Sequence, residues 1–262
     1  MHQYLFFIGN FPIRLYGIFF SLGIISGCIT AYFLLKKDRR GWESHMFDLG
    51  LVIAFAGIVG GRLWDVFFFD WEYYHNHLLE IPYIWQGGMA IQGGIIFACI
   101  AAYFYLKKHQ IPVLPFADTV TPGIILGQAI GRIANFMNGD AFGHPTGQDF
   151  GLLYPDTTLA YHTYGAQPLW PAEVWECQGD LLIFVLLLWY GCKTRAEGTT
   201  FCLYIMFYSL LRFFLENYRG DYGTLALGLK SAQITSLAAF VGAFILFLYF
   251  HFKYKSKSGI SE

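Results

Sequence analysis

Charged residues are scarce in this sequence. Asp, Glu, Lys and Arg make up 13% of its 262 residues, whereas soluble domains carry about 25%. The chain also has no extended acidic or basic tail suited to nucleic acid, so we expect no nucleic-acid partner. Hydrophobic residues account for 56% of the sequence, in long runs from end to end. We therefore expect a single integral membrane domain over residues 1–262.

Metal-ligand spacing and cofactor motifs are lacking as well. The five cysteines are scattered, and most fall in apolar runs, where a thiol behaves as a small hydrophobe. We therefore expect no catalytic cysteine, no disulfide, no metal and no cofactor. The N-terminal segment has neither the basic region nor the cleavage site of a secretory signal peptide, so we expect no removed leader.

Seven stretches approach the roughly 20 apolar residues that a membrane span requires. They cover residues 15–35, 47–69, 85–106, 113–136, 174–191, 199–218 and 231–252. Eleven of the 17 basic residues fall in the connections on one side: Lys36, Lys37, Arg39, Arg40, Lys107, Lys108, Lys193, Arg195, Lys253, Lys255 and Lys257. Because basic loops stay in the cytoplasm, we expect an all-α protein of seven transmembrane helices with its N-terminus outside and its C-terminus cytoplasmic.

The connections on the outer side are poor in basic residues. Residues 70–83 are rich in aromatics and are predicted to lie at headgroup level. Residues 137–169 contain Gly, Pro, Asp, His and Tyr, and we expect them to form a small irregular head on the periplasmic or extracellular side. Residues 85–94 hold four glycines around Gln92, which indicates close backbone packing or a break in the third span.

Three arginines lie inside the predicted spans: Arg62, Arg132 and Arg212. An arginine at the centre of a membrane helix costs about 2.5–3.5 kcal/mol, so such residues usually line a polar cavity. At 1.5 Å per residue, all three lie about 6 to 10 Å below the outer ends of their spans. This common depth predicts a site for an anionic ligand in the outer half of the bilayer.

The sixth span carries polar residues on one face. Tyr208, Arg212, Glu216 and Arg219 follow the spacing of a single helical stripe. The Arg212–Glu216 pair has two interpretations: a salt bridge that makes burial tolerable, or a glutamate that orients an arginine towards a ligand. For Arg62 and Asp65, three residues apart, we expect a structural pair.

Other polar residues lie at helix ends. For Glu173, Gln233 and Arg219, we expect side chains that extend to the membrane interface.

The fourth span combines a glycine stripe with a polar end. Gly123, Gly127 and Gly131 recur every fourth residue, a pattern that lets a neighbouring helix approach closely. The stripe leads into GRIANFMNGDAFG, residues 131–143, which concentrates polar side chains at the outer end of the span. These are Arg132, Asn135, Asn138 and Asp140.

At these residues the chain resembles the bacterial prolipoprotein diacylglyceryl transferase family. The segment 131–143 fits that family's signature G-R-x-[GA]-N-F-hydrophobic-N-x-E-x-x-G, except that Asp140 replaces the glutamate. RLYG, residues 14–17, looks like the motif of the family's first span. YSLLRFFLENYR, residues 208–219, and SAQI, residues 231–234, resemble its motifs in the last two spans.

The resemblance implies transfer of an sn-1,2-diacylglyceryl group from phosphatidylglycerol to the lipobox cysteine of a prolipoprotein, at the bacterial cytoplasmic (inner) membrane. This reaction is the first step of lipoprotein maturation. The catalytic residues it implies are Arg132, Arg212, Asp140 and Glu216. The residues it implies for binding phosphatidylglycerol are Arg132, Asn135, Asn138, Tyr16, Gln92, Gly93, Gly143 and Tyr208, and the depth of Arg62 adds that residue to the set. Among the catalytic residues, Asp140 or Glu216 would accept the proton of the substrate thiol.

Two further departures from the family pattern leave alternatives open. Gln92 stands where the family usually has histidine, and Trp170 replaces the histidine of its His-Pro pair. Since glutamine cannot take up a proton near neutral pH, either that histidine is dispensable or the chain is a paralogue with another acceptor or slower turnover. A third alternative is a membrane protein that binds anionic lipid without catalysis. A transporter would show two related halves, and the sequence has no such repeat.

Overall fold

The computed structural model describes residues 3–9, 11–191, 196–220 and 228–258. Lys193 and Arg195 of the predicted cytoplasmic set lie outside these ranges. The described chain opens with an antiparallel hairpin of β1 (Tyr4–Ile8) and β2 (Phe11–Arg14). The helices that follow are α1 (Leu15–Asp38), α2 (Met46–Trp64), α3 (Trp71–Tyr74), α4 (Ile91–Lys108), α5 (Val113–Asn138), α6 (Leu159–Tyr164), α7 (Ala172–Gly191), α8 (Thr199–Leu215) and α9 (Ser231–Ser258).

The long helices overlap the predicted spans. Among the described residues, five helical segments are long and apolar enough to cross a membrane: Leu15–Asp38, Trp42–Phe69, Val113–Asn138, Thr199–Tyr218 and Ser231–Ser256. The chain is therefore a helical, multi-pass membrane protein by length and composition. Helices α4 and α7 fall at the other two predicted spans, and the count of seven stays a prediction, as does the orientation.

The third predicted span begins later than the sequence suggested. Residues Ile84–Gln86 form a short 3₁₀ turn, and α4 starts only at Ile91. Gly87 and Gly88 have φ angles of 97° and 73°, which interrupt a right-handed helix and which glycine adopts without a steric penalty. The break that the glycine-rich segment indicated is therefore present.

Backbone contacts divide the chain into two compact units. Unit 1 comprises residues 1–34 and 117–262, and unit 2 comprises residues 35–116. In unit 2, helices α2 and α4 touch at glycines: a Cβ added to Gly60 would lie 2.5 Å from the Gly93 carbonyl oxygen. Such contact requires residues without side chains, so any larger residue at Gly93 would push the two helices apart.

The predicted glycine stripe of α5 is a helix contact in unit 1. A Cβ on Gly23 of α1 would lie 2.7 Å from the carbonyl oxygen of Gly127, and a Cβ on Gly27 would lie 2.7 Å from that of Gly123. The stripe thus meets a second stripe of glycines, as expected for helices packed at close range. On α5 and α7, the buried side chains of Ile125, Ile183 and Leu187 form a small core against α8.

The predicted outer head is largely irregular. Helix α5 continues to Asn138, after which Gly139 and Ala141 adopt left-handed backbone conformations. Leu152 pairs with Leu169, and the short helix α6 lies between them in sequence. Phe142, Tyr154, Ala160 and Leu169 are buried together and give the head its own small core.

Candidate active site

Three helices of unit 1 bring two arginines to one carboxylate. Arg132 of α5 approaches Glu176 Oε1 of α7 to 2.7 Å through its Nη2 atom. Arg212 of α8 approaches Glu176 Oε2 to 3.2 Å through its Nη1 atom. The Glu176 side chain is fully buried, whereas the two arginines remain 19% and 13% exposed. The predicted convergence of Arg132 and Arg212 is therefore present.

Sequence reasoning missed the importance of Glu176. Arg219 also contacts its Oε2 atom, at 3.3 Å, so one carboxylate holds three guanidinium groups. A signal for it existed: Glu173, Glu176 and Asp180 follow i, i+3, i+7 spacing and share one face of α7. Three acidic residues on one face of an apolar helix indicate a polar interior surface rather than a helix end.

One donor of Arg132 has no partner within the described structure. Nη1 donates to Asn135 Oδ1 at 3.2 Å, and Nη2 also lies 3.4 Å from the Tyr208 hydroxyl. The Nε atom is buried and makes no hydrogen bond among the described residues. Since buried donors are nearly always satisfied in native proteins, this N–H indicates a place for a ligand oxygen.

Asp140 holds the two asparagines of the signature segment. Asn135 Nδ2 donates to Asp140 Oδ1 at 2.6 Å, and Asn138 Nδ2 donates to Asp140 Oδ2 at 2.7 Å. Tyr16 of α1 lies close enough to Asp140 and Arg132 to interact with their charges. Asp140 thus fixes the orientation of Asn135, whose oxygen in turn contacts Arg132.

Glu216 forms the second carboxylate contact of Arg212. Its Oε2 atom lies 2.8 Å from Arg212 Nη2, which confirms the pair predicted one turn apart. The ammonium group of Lys230, just before α9, donates a hydrogen bond to the backbone carbonyl of Glu216 at 2.9 Å. Arg212 is thereby held between two carboxylates, Glu176 and Glu216, and its orientation is fixed.

Gly143 lets the head approach the start of α7. A Cβ at this position would collide with the carbonyl oxygen of Trp170. Gly143 also forms an isolated bridge with Arg219. Close backbone packing explains the glycine at this signature position, and the bridge connects the outer head to Arg219.

The polar residues at the helix ends are buried. Glu173 is 0%, Gln233 4% and Arg219 5% exposed, so the expectation that they extend to the membrane interface is wrong. Each has an internal partner: Tyr154 donates to Glu173, Gln233 donates to Asn217, and Arg219 contacts Glu176. Burial and the neighbouring carboxylate raise the pKa of Tyr154 above its ordinary value, so this tyrosine stays a donor.

Arg62, Gln92 and Gly93 lie in unit 2. The Arg62 guanidinium donates to four backbone carbonyls, of Glu80, Ile81, Gly87 and Gly88, at 2.7 to 3.1 Å. Its Nη1 atom is 3.8 Å from Asp65, the predicted structural partner. Arg62 therefore organises the segment before α4, and its predicted contact with phospholipid stays a prediction.

Comparison with known proteins gives the same family as the sequence motifs. A family model described as prolipoprotein diacylglyceryl transferase matches residues 3–249. A relative from Clostridium botulinum strain Langeland is 34% identical over 250 residues, which cover 95% of this chain and 96% of the relative. A relative from Staphylococcus saprophyticus is 34% identical over 251 residues, with 94% and 88% covered. Both are named phosphatidylglycerol–prolipoprotein diacylglyceryl transferase.

Proposed function

The chain belongs to the prolipoprotein diacylglyceryl transferase family, and on this premise we propose that Arg132 and Arg212 form its phosphate site. The protein is a membrane transferase that moves a diacylglyceryl group from phosphatidylglycerol to a prolipoprotein, the first step of lipoprotein maturation. Its acceptor is the thiol of the lipobox cysteine, beside the signal peptide. The nucleophile belongs to the substrate, which agrees with an arginine-rich site that needs no cysteine of its own.

The transfer exchanges one bond for another. The acceptor sulfur attacks the glyceryl carbon that carries the phosphate, and a carbon–sulfur bond forms as the carbon–oxygen bond breaks. The bonding electrons pass to the phosphate oxygen, so glycerol phosphate leaves with additional negative charge. The thiol proton must go to a base, because the thiolate is the reactive form.

The unpaired Nε–H of Arg132 is the observation that carries the proposal. Guanidinium groups bind phosphate through two parallel charge-assisted hydrogen bonds. The Glu176 carboxylate positions Arg132 and Arg212 before substrate binds. Little reorganisation of the arginines is therefore needed when charge develops on the leaving group. Their remaining exposure leaves both side chains accessible to a phosphodiester.

The surrounding polar residues have orienting roles. Asp140 fixes Asn135 and Asn138, and Tyr208 lies within hydrogen-bond reach of both Arg132 and Glu176. Tyr16 and these asparagines are proposed to donate to the headgroup. Gly143 permits the close packing that the site needs, and Glu216 orients Arg212.

Three further proposed lipid-binding residues, Gln92, Gly93 and Arg62, lie in unit 2. Gln92 is the second residue of α4, directly before Gly93, and an amide at that position can both donate to and accept from a glycerol headgroup. Arg62 acts through the segment whose carbonyls it binds. The assignments of Gln92 and Gly93 rest on the family resemblance, and that of Arg62 rests on its predicted depth within a membrane span.

Membrane placement follows from the same reasoning. We propose seven spans in a bacterial cytoplasmic membrane, with the N-terminus outside and the C-terminus inside. Basic residues in the last turns of α1 and α4, Lys36, Lys37, Lys107 and Lys108, support this orientation. Labelling of single cysteines in the loops of intact cells would test it, because outer positions should react with an impermeant reagent and inner ones should not.

The decisive experiment measures transfer from radiolabelled phosphatidylglycerol to a model prolipoprotein, scored by gel shift. Arg132→Ala and Arg212→Ala should each lower transfer by about 10²–10³-fold, the typical cost of losing one fixed donor. Arg132→Lys should not restore it, because an ammonium lacks the planar fork. Arg40→Ala is the matched control, since Arg40 is 43% exposed and contacts Asp38 and the ring of Trp42 rather than the proposed site.

Three outcomes would contradict the proposal. An Arg132→Ala enzyme that keeps more than about a tenth of wild-type transfer would remove the clamp role. Wild-type protein that binds phosphatidylglycerol without releasing glycerol phosphate would be a lipid-binding protein. Release of glycerol phosphate without modification of the prolipoprotein, together with failure to complement a transferase-depleted bacterium, would indicate another acceptor.

A further inference from the structure

Asp180 is a carboxylate that the proposed site does not use. It lies on α7 one turn beyond Glu176 and is 0% exposed. Neither of its oxygens accepts a hydrogen bond of ordinary geometry within the described structure. An unpartnered buried carboxylate is costly, and such groups call for a functional explanation.

The groups around Asp180 include two of the three arginines that contact Glu176. Glu176 and Cys177 face it from its own helix, Arg132 from α5, and Tyr208 and Arg212 from α8. The Gln128 amide of α5 also lies beside it, but its Nε2 atom makes no hydrogen bond of ordinary geometry. Asp180 therefore lies next to the proposed phosphate clamp, in a place where two side chains have unused hydrogen-bonding atoms.

The other carboxylates of the cluster already have partners. Glu176 contacts three arginines, and Glu216 lies 2.8 Å from Arg212. Asp140 accepts the amides of Asn135 and Asn138. A proton on any of these would weaken bonds that orient the site, whereas a proton on Asp180 would break no such bond.

We propose that Asp180 accepts the proton of the acceptor cysteine. The proposal rests on the proposed function and adds the missing base to it. The thiol proton moves to an Asp180 oxygen, directly or through one water, and the resulting thiolate attacks the glyceryl carbon. Phosphate leaves towards Arg132 and Arg212, and Asp180 later returns its proton to solvent or to the departing glycerol phosphate.

The test is the pH profile of transfer by Asp180→Asn. Loss of a general base typically costs about 10²–10⁴-fold, so transfer at pH 7 should fall by that factor. The free thiol has a pKa of about 8.5, so its ionised fraction grows about tenfold per pH unit below that value. The variant should therefore recover about 15-fold between pH 7 and pH 8.5 relative to wild type, most steeply below pH 8. Retention of labelled phosphatidylglycerol should be unchanged.

Two variants separate this role from a structural one. Asp180→Glu keeps a carboxylate and should retain a wild-type pH profile, even with lower activity. Asp118→Asn changes another buried carboxylate, which caps α8 through the amides of Gly198 and Phe201 at 2.7 and 2.9 Å. It should lower the unfolding temperature and leave the pH profile unaltered.

Several results would overturn the proposal. One is Asp180→Asn with wild-type transfer per folded enzyme, and another is a loss that does not recover at high pH. A third is the same pH-dependent recovery in Asp140→Asn or Glu216→Gln instead, which would make one of those residues the base, as the sequence predicted. In each case Arg132→Ala would still abolish transfer, so failure of this inference is distinguishable from failure of the proposed function.

Discussion

The Arg132 guanidinium lies 2.7 Å from a Glu176 carboxylate oxygen that is completely buried, although the two residues are on different helices. Desolvating an ion pair in a membrane protein is expensive, and the attraction offsets that expense only when the geometry is good and other hydrogen bonds form. Here the same carboxylate also binds Arg212 and Arg219. Glu176 therefore makes it possible for several positive charges to stay buried where we propose that a phosphate binds.

Removing the charge of Glu176 should uncouple the arginines. Glu176→Gln leaves three guanidinium groups without their shared carboxylate, and loss of one partner of a buried pair costs about 3–5 kcal/mol. We expect a lower unfolding temperature in detergent and loss of transfer, with part of the stability restored by added phosphatidylglycerol, whose phosphate replaces the missing charge.

The matched control for that experiment is Glu72→Gln, an exposed carboxylate in unit 2. It should change neither the unfolding temperature nor the transfer activity. An unfolding temperature of Glu176→Gln equal to that of wild type would mean that the arginines have other counter-charges.

Transfer activity should fall when Asp140 is replaced by asparagine, but not when it is replaced by the longer glutamate. In Asp140→Asn one acceptor oxygen becomes an NH₂ group, which faces an asparagine amide donor 2.6 or 2.7 Å away. An unsatisfied donor costs about 1–3 kcal/mol, so kcat/KM should fall by roughly 5- to 150-fold.

Asp140→Glu keeps both acceptor oxygens and restores the residue of the family signature, so it should retain most of the transfer activity. Steady-state kinetics with detergent-solubilised phosphatidylglycerol measures both variants. Equal activities of Asp140→Asn and wild type would show that Asn135 and Asn138 are oriented by other contacts.

Contacts within one helix were accessible from the sequence, whereas the carboxylate that Arg132 and Arg212 share, Glu176 of a third helix, was not. The Arg212–Glu216 pair lies one turn apart on a helix, and its 2.8 Å contact follows from helical spacing alone. The glycine stripe of α5 predicted close packing, but its partner stripe, Gly23 and Gly27, was not identified. Spacing within one helix shows which residues share a face, whereas the choice of partner depends on how whole helices pack.

The error about Glu173 and Arg219 has the same origin. Both lie near helix ends, where polar side chains usually reach water. Tyr154 of the outer head lies against Glu173. Arg219, which follows the end of α8, lies against Glu176 of α7. An irregular 33-residue head has no periodic pattern that would have predicted these contacts.

Arg62 should be essential for the segment before α4. Arg62→Lys keeps the charge but replaces a planar fork by a single ammonium, which cannot reach carbonyls as far apart as those of Glu80 and Gly88. A hydrogen bond to a charged donor contributes about 1.5–3 kcal/mol, so each carbonyl that loses the guanidinium weakens the segment. We expect a lower unfolding temperature and faster limited proteolysis between residues 78 and 90.

The control for Arg62→Lys is Arg40→Lys, at an arginine that is 43% exposed. It should leave both the unfolding temperature and the proteolysis pattern as in wild type. Unchanged proteolysis in Arg62→Lys would mean that the segment is held by contacts other than its carbonyls.

Gln92→His tests whether the glutamine simply occupies the position of the family histidine. A histidine can supply one donor and one acceptor, as glutamine does, and it can also take up a proton. If the position needs only hydrogen bonds, Gln92→His should retain or raise transfer, whereas Gln92→Leu, similar in size but apolar, should lower it. The measurement is transfer to the model prolipoprotein from pH 6 to pH 8. Complete loss of activity in Gln92→His, with normal membrane insertion, would mean that the site has been rebuilt around glutamine, and it would favour a paralogue with another acceptor.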